Sequence, residues 1–176
     1  MITIGIDNGL KGAIVAINDD YKLLAWYDTP TIQLKKGKKI KNQYAPATMV
    51  SIIESILLEH APSKEKVIVW LEMAQAMPKQ GLSSTFTTGR GFGLWEGIVA
   101  GLGLRYDIVS PRTWTKAVLK DLPPGDPKDR SMMKCQRLFP ELPLVKPRGT
   151  VLSMDGRSDA ALIAFYGLMQ LKQGLG

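Results

Sequence analysis

One cysteine and one histidine are all that 176 residues contain of the side chains that most often build thiolate and zinc chemistry. Cys135 has no partner for a disulfide and no companions for a cysteine-built metal site, so it is expected as a small apolar core residue. His60 closes a polar helix end beside Ala61-Pro62 and is expected at the surface, not as a ligand or base. No apolar run approaches the roughly 20 residues of a membrane span, because charges, Gly or Pro interrupt every candidate. Met1 runs straight into Ile2-Thr3-Ile4-Gly5-Ile6, which leaves no room for a charged n-region or a transit peptide. The protein is therefore expected to stay in the cytoplasm. A Gly-x-Ser-x-Gly elbow and a Walker A loop are also missing. Gly91-x-Gly93 fails as a dinucleotide fingerprint, since position 96 is Glu and no strand immediately precedes it.

What the chain does have is basic charge and enough apolar residues for one core. Lys and Arg total 23 against 16 Asp and Glu, a net charge of +7 that favours polyanionic partners. A 45% hydrophobic content over this length suits a single domain spanning 1–176. Met1–Asp7, Gly12–Asn18 and Leu23–Asp28 are short runs rich in Ile, Val and Ala, separated by turn formers, and read as an antiparallel meander. A flexible basic loop is expected near 31–45. Met49, Ile52, Ile53, Ile56 and Leu57 recur at helical spacing over Pro46–His60, and Lys66–Glu72 reads as a buried parallel strand. A helix from about Thr85 to Gly103, a strand over Arg105–Val109, and helices over Pro111–Leu119, Lys128–Phe139 and Asp155–Gln170 complete the pattern. The fold class is α/β, a mixed five-stranded sheet in the order βββαβαβα with helices on both faces.

Acidic residues fall at informative places in that pattern. Asp7 ends the first strand and Glu72 ends the buried parallel strand, and sites in open α/β sheets form at the carboxyl ends of strands. Asp155 and Asp159 stand four apart at the start of the last helix, about 40° apart around its axis. Together they are candidates for a four-carboxylate cluster. Acids that close repel one another unless divalent cations neutralise them. Oxygen ligands without His or Cys suit Mg²⁺ or Mn²⁺, two of which about 4 Å apart can drive phosphodiester cleavage. Plain readings stand beside this one: Asp7 as a turn residue before Asn8-Gly9, Glu72 as a solvated strand end, Asp155 as an N-cap and Asp159 as a first-turn acid.

With these residues in view, the chain resembles the RuvC-type Holliday-junction resolvases of the ribonuclease-H-like superfamily. Ile4-Gly5-Ile6-Asp7-Asn8-Gly9 is similar to their first-strand motif, Val69-Trp70-Leu71-Glu72 to their second acidic strand, and Ser158-Asp159-Ala160-Ala161-Leu162 to their closing helix. Gly91-Phe92-Gly93-Leu94-Trp95, Pro111 to Trp114, and the run from Asp155 to Ala164 look closest to the chloroplast resolvases and their bacterial or phage relatives. Asp159 departs from that pattern, standing where the plant enzymes are expected to carry Glu. The resemblance implies a homodimeric, Mg²⁺-dependent endonuclease that nicks four-way DNA junctions symmetrically, leaving 5′-phosphate and 3′-hydroxyl ends. Asp7, Glu72, Asp155 and Asp159 would hold two metal ions per site. A different nuclease of this fold, such as one for RNA processing, and a non-catalytic DNA-binding module are the alternatives. An actin-like ATPase would need a second lobe.

Two further features bear on partners. Lys35, Lys36, Lys38, Lys39 and Lys41 form a positive finger suited to phosphates, unless it is only a solvated loop. Lys79, Arg90, Arg112, Lys116, Lys128 and Arg157 lie in segments that flank the strand ends and are expected to extend this DNA-binding surface. Gly89, Gly93, Gly97 and Gly101 recur every four residues along one helix, at a cost of about 1 kcal/mol each relative to Ala. That stripe implies a close backbone approach to the sheet, to a partner subunit or to DNA. Phe86, Phe92 and Trp95 share the same helix as core or interface candidates, and one of them, or an apolar residue in the Met73–Leu82 loop, is a candidate to wedge into the junction.

Overall fold

Side chains alternate across a strand, so the apolar pattern of each strand decides which helices cover which face. The computed structural model describes residues 1–37, 39–76, 81–144 and 155–174, and only the backbone of Lys36, Lys39 and Asp155. β1 (Ile2–Ile6), β2 (Ala13–Asn18) and β3 (Leu23–Asp28) form the antiparallel meander. β6 (Val67–Glu72) lies parallel to β1, and β7 (Arg105–Val109) lies parallel to β6, giving a five-stranded sheet ordered β3-β2-β1-β6-β7.

Ile2, Ile4 and Ile6 of β1, Ile14 and Ala16 of β2, and Val67, Val69 and Leu71 of β6 share one face. They are covered by α1 (Pro46–His60) through Met49, Ile53 and Ile56, and by α2 (Leu82–Gly101) through Trp95 and Val99. The opposite face carries Ala13, Val15, Ile17, Ile68 and Trp70. It is covered by α3 (Pro111–Val118), α4 (Pro127–Leu138) and α5 (Asp155–Lys172), and the core there includes Trp114, Cys135 and Phe139. Each large apolar side chain buried this way contributes about 1.5–3 kcal/mol. Local chemistry starts two of these helices. Ser110 accepts from the Thr113 amide ahead of Pro111, and Asp126 accepts from the Lys128 and Asp129 amides ahead of Pro127.

The segment expected as a flexible loop near 31–45 is instead a two-stranded antiparallel hairpin, β4 (Thr31–Lys36) and β5 (Lys39–Tyr44), separate from the main sheet. Ile32, Leu34 and Ile40 supply strand propensity that the lysines disguise, and Gly37 takes the left-handed φ of 62° after β4. A hydrogen bond from the Ala45 amide N–H to the Pro30 carbonyl, 3.0 Å long, closes the hairpin's base.

Candidate active site

Strand register brings the first two acids together. Ile6 pairs with Leu71 in the parallel ladder, so the next step along it sets Asp7 beside Glu72 on strands about 4.8 Å apart. Parity turns both toward α5, since Asp7 shares the face of Thr3 and Gly5, and Glu72 that of Ile68 and Trp70. α5 can approach because two glycines let it. A Cβ on Gly5 would overlap the Ala160 carbonyl oxygen, and one on Gly156 would overlap the Lys11 carbonyl. A parallel bridge from Gly12 to Gly156 ties the first turn of α5 to the β1–β2 turn. Asp159, the neighbour of Ala160, is thereby carried to the carboxylate end of β1.

Glu72 is held on both its backbone and its side chain. The Trp114 indole Nε1 of α3 donates to Glu72 Oε1 at 2.8 Å, and Asn8 Nδ2 donates to the Glu72 carbonyl at 2.5 Å. Asp7 Oδ1 accepts from the Gly9 amide at 3.0 Å. Burial, and then the charge of Asp7, push the Glu72 carboxyl up to about 8; the Trp114 hydrogen bond opposes the rise and Asp159 adds to it. Asp159 also acts across α4. The Cys135 thiol, inside the core as expected, is pushed up to about 12 by burial first and by Asp159 second. Three of the four expected acids therefore sense a common neighbourhood. Asp155 opens α5 one turn before Asp159, and its side chain lies outside the described residues. Among the described residues, no group of three or more His, Cys, Asp or Glu side chains is arranged to hold a metal ion. The donor chemistry nonetheless fits a hard divalent cation, because all the acids here are carboxylates and their mutual repulsion is what a cation relieves.

The basic residues divide. Lys35 and Lys41 are exposed on the hairpin, Lys36 and Lys39 pair across its far end, and Lys38 and Lys79 lie outside the described residues. Arg90 is exposed on α2, near enough to the Tyr44 hydroxyl to act on its proton affinity. Arg112 and Lys116 are exposed one turn apart on α3, and with Lys120 and Arg130 they line a cavity of about 420 Å³. Lys128 is exposed in the first turn of α4. Arg157 departs from the expectation of a DNA contact. It is buried, donates to both oxygens of Asp28 at 2.6 and 2.7 Å and to the Pro143 carbonyl, and stacks over Trp26. Its charge holds β3 and the approach to α5 together, so it belongs to the scaffold.

Sequence reasoning missed three residues that shape the site: Asn8, taken as a turn former, Tyr44, taken as part of a loop, and Trp114, known only as part of a matching segment. Each acts through a partner far along the chain, which no periodicity reveals. The glycine stripe of α2 also resolves one way. The helix turns Gly91, Trp95 and Val99 inward, whereas a Cβ on Gly89, Gly93, Gly97 or Gly101 would meet nothing within 4 Å, so the stripe faces away from the sheet.

No protein-family model and no curated protein sequence matches the chain. Solved structures do. RuvC of T. thermophilus in complex with a Holliday junction substrate superimposes with a TM-score of 0.63 at 14% identity, covering 99% of this chain and 97% of that one. Thermus thermophilus RuvC in another structure gives 0.54 at 14% identity, covering 99% and 98%. The yeast mitochondrial Holliday junction resolvase Ydc2 gives 0.54 at 17% identity, covering 98% and 81%. Over nearly its whole length, this chain has the ribonuclease-H-like fold of RuvC and Ydc2.

Proposed function

We propose that the protein is a Mg²⁺-dependent Holliday-junction resolvase, an endonuclease that makes paired symmetric nicks in four-way DNA. The observation that supports this reading is the pair Asp7 and Glu72, side by side at the carboxyl ends of adjacent parallel strands, with Asp159 of α5 near enough to bear on the Glu72 carboxyl. Asp7, Glu72, Asp155 and Asp159 would hold Mg²⁺ or Mn²⁺, which supplies Lewis acidity to the scissile phosphate when bound. The protein's own groups set the stage. Trp114 orients the Glu72 carboxylate, Asn8 ties the two strand ends, and the cations of the hairpin, α2 and α3 meet the phosphate backbone. The segments around Gly91 to Trp95 and Asp155 to Ala164 favour kinship with the chloroplast resolvases and their bacterial or phage relatives, acting in the cytoplasm. Labelled four-way, three-way and linear DNA, each incubated with and without Mg²⁺, test the reading. Cutting of linear duplex as fast as the junction would replace it with a simpler nuclease, and binding without cutting would leave a DNA-binding module.

The lysine hairpin makes a separate prediction. Changing Lys35, Lys36, Lys38, Lys39 and Lys41 to Gln should weaken junction binding and flatten its salt dependence, by about 0.9 in slope per lost phosphate contact. Melting temperature should barely move, because the side chains of Lys35 and Lys41 are exposed. An unchanged slope returns the hairpin to a solubilising role.

A two-fold junction calls for two equivalent sites, and a closed two-fold dimer holds them in register. The outward glycine stripe of α2, flanked by Leu82 at 90% and Phe86 at 74% exposure, is the proposed interface, with Phe86 also the best-exposed aromatic candidate for a wedge. Gly97→Leu should shift the protein toward monomers in light scattering and yield singly nicked circles from a cruciform-extruding plasmid. Dimers that persist through that change would place the interface elsewhere.

A further inference from the structure

Tyr44 is the last residue of the lysine hairpin, yet its side chain leaves the hairpin and enters the core, where it is 2% exposed. Its hydroxyl donates to the Asn8 carbonyl at 3.1 Å. Asn8, itself 4% exposed, immediately follows Asp7, and its amide nitrogen reaches the Glu72 carbonyl. A short relay therefore runs from the hairpin root through one peptide to the ends of both acid-bearing strands. α2 closes over it at Gly91, where a Cβ would overlap both the Tyr44 hydroxyl and the Asn8 carbonyl oxygen. A buried phenol needs a partner, and a phenylalanine would fill the same space without one. The hydroxyl is thus used to hold one carbonyl, and that carbonyl belongs to the turn that aims Asp7. Burial and the nearby Asp7 charge push the phenol up to about 12, so it remains a donor across the physiological range.

We propose that Tyr44 is a positioning residue that couples the basic hairpin to the spacing of Asp7 and Glu72. The inference rests on the nuclease reading above and adds a route by which DNA held on the hairpin bears on the carboxylate site. Tyr44 itself touches neither metal nor phosphate in this role. It fixes the Asn8 peptide, and the Asn8 side chain fixes the end of β6. Loss of such supporting contacts around metal ligands typically costs 10–100-fold in metal affinity or activity.

The test is Tyr44→Phe in the full-length protein, with three measurements: Mg²⁺ binding by calorimetry without DNA, junction affinity without metal, and single-turnover cleavage across a Mg²⁺ titration. Mg²⁺ affinity and cleavage at saturating enzyme should each fall on the order of tenfold or more, while junction affinity stays close to wild type. Gly91→Ala, which crowds the same contact with the hydroxyl still present, should move the Mg²⁺ isotherm in the same direction. A Tyr44→Phe protein with wild-type Mg²⁺ binding and cleavage overturns the proposal, even if its melting temperature falls, since the hydroxyl would then serve packing alone. A wild-type protein that neither binds Mg²⁺ nor cuts junctions overturns the nuclease reading and this inference together, a result distinguishable because it appears before any substitution is made.

Discussion

Asp7→Asn should bind four-way junctions nearly as the wild-type protein does, while its Mg²⁺-dependent cleavage falls by orders of magnitude. The substitution keeps the shape of the side chain and its oxygen acceptor toward the Gly9 amide, so the turn after β1 has no reason to rearrange. It removes the charge just past the end of β1 that raises the proton affinity of Glu72. Cations would lose one of their hard oxygen ligands, and DNA affinity, carried by lysines and arginines elsewhere, would remain. Gel shifts in EDTA and single-turnover cleavage in Mg²⁺ measure the two separately. Near wild-type cutting by the variant would remove Asp7 from the site.

Glu72→Gln should also lose cleavage by orders of magnitude, and it should become more stable than the wild type in the absence of metal. An unpaired Glu titrates near 4.5, and Glu72 in the folded protein is raised to about 8. A raised acid favours the folded state fully below pH 4.5, and that contribution is lost as pH climbs through the folded value. The wild-type protein is therefore increasingly penalised between pH 4.5 and about 8, after which the penalty levels off. Glutamine is neutral throughout and still offers Trp114 an acceptor oxygen. In thermal melts with EDTA, the variant's advantage should be small at pH 5 and several degrees at pH 8. Saturating Mg²⁺ should raise the wild type more than the variant, since the cation stabilises the ionised carboxylate that glutamine lacks. An advantage that stayed constant with pH would mean that Glu72 does not titrate in this window.

Much of the scaffold was legible along the chain because its causes are local. Met49, Ile53 and Ile56 recur at helical spacing behind Pro46, and α1 occupies Pro46–His60 as expected. Val67 to Leu71 is too uniformly apolar for a half-exposed strand, and β6 is buried on both faces. The hairpin was missed because lysines interrupt its alternation and because its pairing is made by two segments that support each other and not the main sheet. Arg157 was misassigned for a different reason. Its partner Asp28 lies 129 positions away, so nothing near it in the sequence distinguishes a buried ion pair from a surface cation.

The sequence by itself determined the order of the main-sheet strands and of the helices, and the placement of acids at strand ends and at the start of the last helix, because periodicity and turn chemistry act over a few residues. Tertiary structure alone decided the rest. Parallel register set Asp7 beside Glu72, close contacts at Gly5 and Gly156 seated the first turns of α5 on the sheet so that Asp159 bears on Glu72, and burial raised the Glu72 carboxyl. Helix rotation turned the glycine stripe outward, and the Tyr44 hydroxyl found the Asn8 carbonyl 36 positions away. The difference is one of range, since proximity between distant residues and the exclusion of water around them exist only once the two faces of the sheet are covered.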